Sequence, residues 1–203
     1  MLDKQADLAG PGIGTYEEVA KALPQNYDSL LTPMETMQAL YGVKQYIEDN
    51  LAKELGLTMV QVPLIVDRQS GVNDMLDRDG SRTPVEFPCG LGLDKRIDAQ
   101  VVQAATKWKR MALKAFGCEI GEGINTDMRA VRKDYFLDHD HSAYVDQWDW
   151  EKVISDDQRN LKYLTQTVKN IWKVIKGAEQ YALEKFPQLI DPRYPELPEE
   201  LKF

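Results

Sequence analysis

HSAYVDQWDWE, residues 141–151, sets two tryptophans, two aspartates and a glutamine in a run with the alternation of a β-strand. Side chains on an extended chain point to opposite faces in turn. Ala143, Val145, Gln147 and Asp149 therefore share one side, and Tyr144, Asp146, Trp148 and Trp150 share the other. Each face mixes polar with apolar groups. A glutamine or aspartate taken out of water is costly unless something pairs with it, and a ligand carrying an amine or a carboxylate is one such partner. The solvated face of an antiparallel strand gives the same pattern, so alternation alone leaves both open.

Working outward, 125–132 is expected as a second strand, joined to a strand over 142–150 by a charged loop to make a hairpin. Ahead of it, 99–116 is expected as a helix with Val102, Ala105, Trp108 and Ala112 along one stripe. Residues 67–98 carry the breakers Gly71, Gly80, Gly90 and Gly92, with a short strand expected over 83–87. Thr32-Pro33-Met34-Glu35 has the form of a capping box with proline at the first helical position. Leu40, Val43, Ile47, Leu51 and Leu55 then recur at helical spacing until Gly56 stops the helix. A buried strand over 58–66 follows, in which Pro63 removes a ladder donor and favours an edge or a distortion. Leu161, Leu164, Val168, Ile171, Ile175 and Ala182 mark the core face of a last helix over 156–186.

The ends are less regular. Residues 1–26, interrupted by GPGIG at 10–14, are expected as a flexible extension with a short helix near 15–22, and 187–203 as a proline-rich tail. GPGIG is not a phosphate loop, since no apolar strand precedes it and no lysine follows in place.

At 203 residues the chain can bury a sizeable core. Its net charge of -8 argues against general nucleic-acid binding, which needs basic surface to displace counterions. Two cysteines, Cys89 and Cys118, are too few and too unpatterned for a disulfide framework or a zinc site, so a reducing cytoplasm is the expected compartment. No run of about 18 apolar residues suggests a membrane span. Asp138-His139-Asp140-His141 offers metal-compatible groups, but neighbours on one loop cannot all converge on one ion, and no metal site is assigned there.

KWKRMAL at 107–113, DMRAVRKD at 127–134 and HSAYVDQWDWEKVI at 141–154 stand in an order and spacing that resemble ammonia-dependent asparagine synthetase. That family of aspartate-ammonia ligases is related to class II aminoacyl-tRNA synthetases. The similarity extends from about Asn26 to Phe186. It implies an α/β (α+β) fold with a mainly antiparallel sheet flanked by helices, incomplete on the C-terminal side and leaving an open sheet edge. Residues 27–186 would form a partial catalytic domain. Helix 32–55 and strand 58–66 resemble the first class II motif, which builds a homodimer interface in that family, and the hairpin resembles the second.

The implied reaction joins ammonia to L-aspartate through a β-aspartyl-adenylate, consuming ATP with Mg2+ and releasing AMP and pyrophosphate. By resemblance Arg132 is expected on the ATP α-phosphate, which suits a planar, permanently charged fork. Lys109 is expected on a substrate carboxylate, and Asp74 on the substrate ammonium or on ammonia. Gln147 and Asp149 would read the amino-acid head group, with Ser142 beside them. Arg132, Gln147 and Asp149 are expected to converge on one small cavity.

Three departures qualify the likeness. A His-Ser pair common in the family is replaced by Gln103 and Ala104, and an acidic run after the arginine is represented by Asp134-Tyr135-Phe136. The third class II motif is missing before Phe203, so little turnover is expected from the isolated chain. A non-catalytic module that dimerises with or modulates a full-length partner is the rival expectation.

Overall fold

The structure is a computed structural model, and it describes residues 28–76, 82–90, 92, 96–135 and 141–201. The expected N-terminal extension and loop residues Asp138 to Asp140 lie outside them. The described elements are α1 (Pro33–Leu55), β1 (Leu57–Met59), β2 (Ile65–Asp67), β3 (Glu86–Cys89), β4 (Ile97–Val101), α2 (Thr106–Ala115), β5 (Gly123–Val131), β6 (Tyr144–Lys152) and α3 (Leu161–Lys185). They form two small sheets with flanking helices, ordered β1-β5-β6 and β2-β4-β3. The chain divides into two compact units, one holding Gln61–Ala112 and Asp127–Asp149, the other Asp28–Val60, Leu113–Thr126 and 150–201. Among the described residues, no helix is long and apolar enough to cross a membrane.

In the second unit the capping box forms as expected: Thr32 Oγ1 accepts from the Glu35 N–H, and the Glu35 carboxylate accepts from the Thr32 N–H at 2.8 Å. Gly56 closes α1 at a φ of 66°, a left-handed conformation that costs a glycine little. Ile47, Leu51 and Leu55 pack on Val174 and Ala178 of α3, with Leu57 and Trp150 at the margin. β1 runs parallel to β5, a parallel pair within a fold expected to be mainly antiparallel. Leu57 stands opposite Gly123, and a Cβ at Gly123 would lie 2.5 Å from the Glu151 carbonyl oxygen and 2.9 Å from Lys152 Cα. Those are backbone atoms that cannot swing away. Gly123→Ala is therefore expected to destabilise the chain by about 1–3 kcal/mol, read as a lower urea midpoint with unchanged slope.

The expected strand over 58–66 is two strands in two different sheets, β1 and β2. Pro63 lies in the break, where no ladder donor is needed. The last helix also starts later than expected, at Leu161, because the Asn160 side chain caps it by accepting from the Tyr163 N–H at 2.9 Å.

Residues beyond Pro187 are held on α3. The buried Lys176 ammonium reaches the Leu197 carbonyl at 2.9 Å and the carboxylates of Glu179, Glu196 and Glu199. Glu179 in turn accepts from the Leu197 N–H at 2.7 Å, and the Trp172 indole donates to the Pro198 carbonyl. Burial pushes the Glu179 carboxyl up, but the Leu197 N–H and the Lys176 ammonium outweigh it and hold Glu179 below its ordinary 4.5. A depressed carboxyl contributes stability above its unfolded value and loses it as pH falls through the folded one. Protection of the Leu197 amide against hydrogen exchange is accordingly expected to persist above pH 4.5 and to collapse at lower pH. Unchanged protection into that acid range would contradict it.

In the first unit β4 is central, antiparallel to both β2 and β3, with Val66 opposite Gln100 and Phe87 opposite Ala99. The core joins Val66, Val102, Ala105, Met128 and Ala130, with Val62, Val72 and Val145 packed against it. The expected helix over 99–116 is corrected here: Ile97–Val101 is strand, and helix begins only at Thr106. Backbone pairing to two neighbours on either side of β4 overrides a local helical pattern. The expected short strand over 83–87 is displaced to Glu86–Cys89.

Candidate active site

All six candidate residues belong to the first unit. Along β6 exposure alternates as the strand period requires, with Tyr144, Asp146 and Trp148 exposed and Val145, Gln147 and Asp149 drawn inward. The Arg132 N–H donates to the Ala143 carbonyl at 2.8 Å, carrying the hairpin ladder one residue past β5. Arg132 therefore continues the side of the ribbon occupied by Met128 and Ala130, and Gln147 and Asp149 continue that of Val145. These inner positions meet one core, so arginine, glutamine and aspartate share a face. They are strung along it, not gathered at a point. From the position opposite Arg132, Gln147 lies four residues along, about 14 Å, and Asp149 six residues along, about 20 Å.

Lys109 supplies the other side. The buried residues of α2 are Lys109, Ala112 and Leu113, with Ala105 buried just ahead of it, so the expected stripe is shifted: Lys109 lies inside and Trp108 is half-buried. Lys109 is only 1% exposed and forms an ion pair with Asp149 Oδ1. An ammonium has three donors, and Asp149 is the described partner of Lys109. A buried lysine on a short helix is poor evidence of added stability, because desolvating the charge offsets much of the attraction. It is better evidence of a purpose for a positive charge at that place.

Asp74 sits at the N-terminus of α2, where its Oδ2 accepts from the Lys107 N–H at 3.1 Å. The first backbone donors of a helix have no intrahelical partner, and a carboxylate there is favourable. One of its oxygens is thus occupied structurally. Ser142 is exposed, and its Oγ accepts from the Tyr144 N–H at 3.2 Å, folding back on its own turn.

Arg132 uses Nε to donate to the Gln103 carbonyl at 3.2 Å. Among the described residues no carboxylate pairs with its guanidinium, and the Gln147 amide makes no hydrogen bond. Asp134, beside Arg132, is committed elsewhere: its Oδ2 accepts from the Thr83 N–H, the Thr83 hydroxyl and the Lys133 ammonium. The Lys133 ammonium, aided by Thr83, holds the Asp134 carboxyl below its ordinary value. Among the described residues no group of three His, Cys, Asp or Glu side chains could hold a metal ion.

Two buried amides behind this face were not singled out from sequence as structural anchors. Gln103 is 0% exposed; its Oε1 accepts from the Leu76 N–H at 3.1 Å and its Nε2 donates to the Arg82 carbonyl at 3.0 Å. Asn73 accepts from the Gln103 N–H at 3.0 Å and donates to Gln100, whose own amide reaches Glu86. The signal was present in VVQAA at 101–105, where one glutamine interrupts an apolar run. A buried amide is expected to find partners.

A cavity of about 670 Å3 lies in the second unit, lined by residues such as Trp150, Ile154, Leu161 and Leu164. It contains none of the six candidates, and the polar strand face remains the better site on chemical grounds.

A mixed α/β chain presenting an arginine, an amide and a lysine–aspartate pair on one strand face is equipped to hold a small charged molecule. The family model for aspartate-ammonia ligase matches residues 34–203, and the chain belongs to that family. It is 44% identical over 177 residues to the aspartate–ammonia ligase of Bacillus cytotoxicus, covering 87% of this chain and 51% of that protein. It is 44% identical to that of Clostridium perfringens strain 13, covering 82% and 48%, and 45% identical to that of Ligilactobacillus salivarius, covering 83% and 49%. The chain spans about half the length of the curated relatives it matches.

Proposed function

We propose that this chain carries the aspartate-binding side and part of the nucleotide side of an aspartate-ammonia ligase, on a class II aminoacyl-tRNA synthetase-like scaffold spanning 27–186. Attack of the β-carboxylate oxygen on the α-phosphate of ATP, with pyrophosphate leaving, makes the carboxyl a good acyl donor; ammonia then displaces AMP and leaves L-asparagine. The protein must neutralise phosphate charge and fix the aspartate head group for this to proceed. Arg132 suits the phosphate because its terminal donors form a fork that stays charged. Lys109 would meet a substrate carboxylate with donors that Asp149 leaves over, while Asp149 and Asp74 offer acceptors to an ammonium or to ammonia. Gln147 can donate and accept at once, and Ser142 would stand at the mouth. Magnesium enters as the ion carried on ATP. Such a reaction belongs in the cytoplasm, where ATP and free aspartate meet.

The observation that carries this reading is the row of donors on one face: Arg132 and Gln147 without described anionic or amide partners, beside a buried Lys109. Calorimetric titration with L-aspartate tests it. Binding is expected for the unaltered chain and a loss of about tenfold or more for Gln147→Leu, since removing a hydrogen-bonding group from a site built around it strands its partner. Equal affinity in the two proteins would remove the support.

A second observation favours self-association. Met34, Met37, Leu40 and Tyr41 are all exposed on the first turns of α1, and Met34, Met37 and Tyr41 follow the three-and-four spacing of a single stripe. Homodimerisation through α1 and the following strand would cover them, and it also fits a non-catalytic partner module. Sedimentation of Met37→Glu against the unaltered chain distinguishes a dimer from a monomer.

A further inference from the structure

Arg82 stands out because its guanidinium shares an aromatic ring with that of Arg132. Its Cζ lies 4.6 Å from the centre of the Tyr135 ring, and Arg132 Cζ lies 5.9 Å from the same point. Both distances are within cation–π range, and they cap the separation of the two guanidinium carbons at their sum. Two positive charges held this near one another repel, an arrangement that gains most from an anion with several charges between them.

The placement is built, not incidental. Gln103 fixes both segments at once: its side chain binds the Arg82 carbonyl and its own carbonyl accepts from Arg132 Nε. Thr83, the next residue, is tied by its N–H and its hydroxyl to Asp134 Oδ2, and Lys133 bonds to both. Four residues thus lock the Arg82 backbone to the end of the hairpin, and Arg82 itself is an exposed residue. Tyr135, which departs from the acidic run of related sequences, is the ring that both cations adjoin.

We propose that Arg82 is a second phosphate-binding residue, acting with Arg132 on the polyphosphate of a nucleoside triphosphate, an inference that rests on the assignment of Arg132 to phosphate. Each guanidinium fork can take two oxygens; a lone phosphate cannot satisfy two separated forks, whereas a diphosphate chain can.

The test is calorimetric titration of the full 203-residue chain with inorganic pyrophosphate, and with inorganic phosphate for comparison, in the unaltered, Arg82→Ala, Arg82→Lys and Arg132→Ala forms. Pyrophosphate is expected to bind more tightly than phosphate. Arg82→Ala should lose about ten- to a hundredfold in pyrophosphate affinity, the worth of one charge-assisted contact, while its phosphate affinity and melting temperature stay unchanged. Arg82→Lys should recover part of the loss, because charge is restored without the fork. Undiminished pyrophosphate binding by Arg82→Ala alongside loss in Arg132→Ala overturns the role of Arg82 and leaves the ligase reading intact. Undiminished binding by Arg132→Ala, or none by the unaltered chain, overturns both at the phosphate end.

Discussion

Asp149→Ala is expected to destabilise the chain by about 3–5 kcal/mol, the range for a buried ion pair that loses one partner. The effect comes from what is left behind. Lys109 is 1% exposed and cannot turn its ammonium to water, whereas the Asp149 side chain is 24% exposed and can hydrate in part. The reverse change is therefore expected to be milder. Lys109→Met keeps the length and the apolar stem, removes the buried charge, and leaves a carboxylate already close to solvent. Urea denaturation of the two single variants and the double variant forms a cycle that isolates the pair. A Lys109→Met cost equal to or larger than that of Asp149→Ala would contradict the asymmetry and with it the burial argument. Loss of aspartate affinity in Lys109→Met, with stability retained, would place the ammonium at the ligand.

Gln103→Ala is expected to cost about 2–4 kcal/mol and to weaken pyrophosphate binding together. Removing the amide leaves the Leu76 N–H and the Arg82 carbonyl without their partner, at about 1–3 kcal/mol for each buried group left unsatisfied. A purely structural role would lower the unfolding midpoint and leave the affinity of the folded fraction alone. The geometry calls for both effects, because the same residue sets the backbone of Arg82 and accepts from Arg132 Nε. Gln103→Glu separates them further: one oxygen can still accept from Leu76, but no donor remains for the Arg82 carbonyl. Every hydrogen-bonding group of Gln103 is engaged in this structure.

Much of the architecture was legible because it depends on neighbours in sequence. The capping box at Thr32 and Glu35, the stop at Gly56 and the alternation from Tyr144 to Asp149 all follow from interactions spanning four residues or fewer. The pattern misled where long-range pairing took over. Ile97–Val101 carries a helix-compatible pattern yet pairs with both β3, just ahead of it in the chain, and β2, roughly thirty residues away. Residues 58–66 look like one buried strand, but Pro63 and the availability of partners in two sheets split them. Lys109 could be named from its motif, whereas its burial could not, since an isolated lysine is normally exposed.

By itself the sequence determined which groups stand on which side of the β6 ribbon, because the two-residue period of an extended chain allows no other assignment once the strand exists. It also carried the three motifs that place the chain in its family. Only the tertiary structure decided which of those groups are already engaged: Asp149 with Lys109, Asp74 with the start of α2, and Asp134 with Thr83 and Lys133, while among the described residues no carboxylate pairs with Arg132 and no hydrogen bond engages the Gln147 amide. Apart from Lys133, these partners come from segments tens of residues apart, and their meeting is a property of packing that no local periodicity encodes.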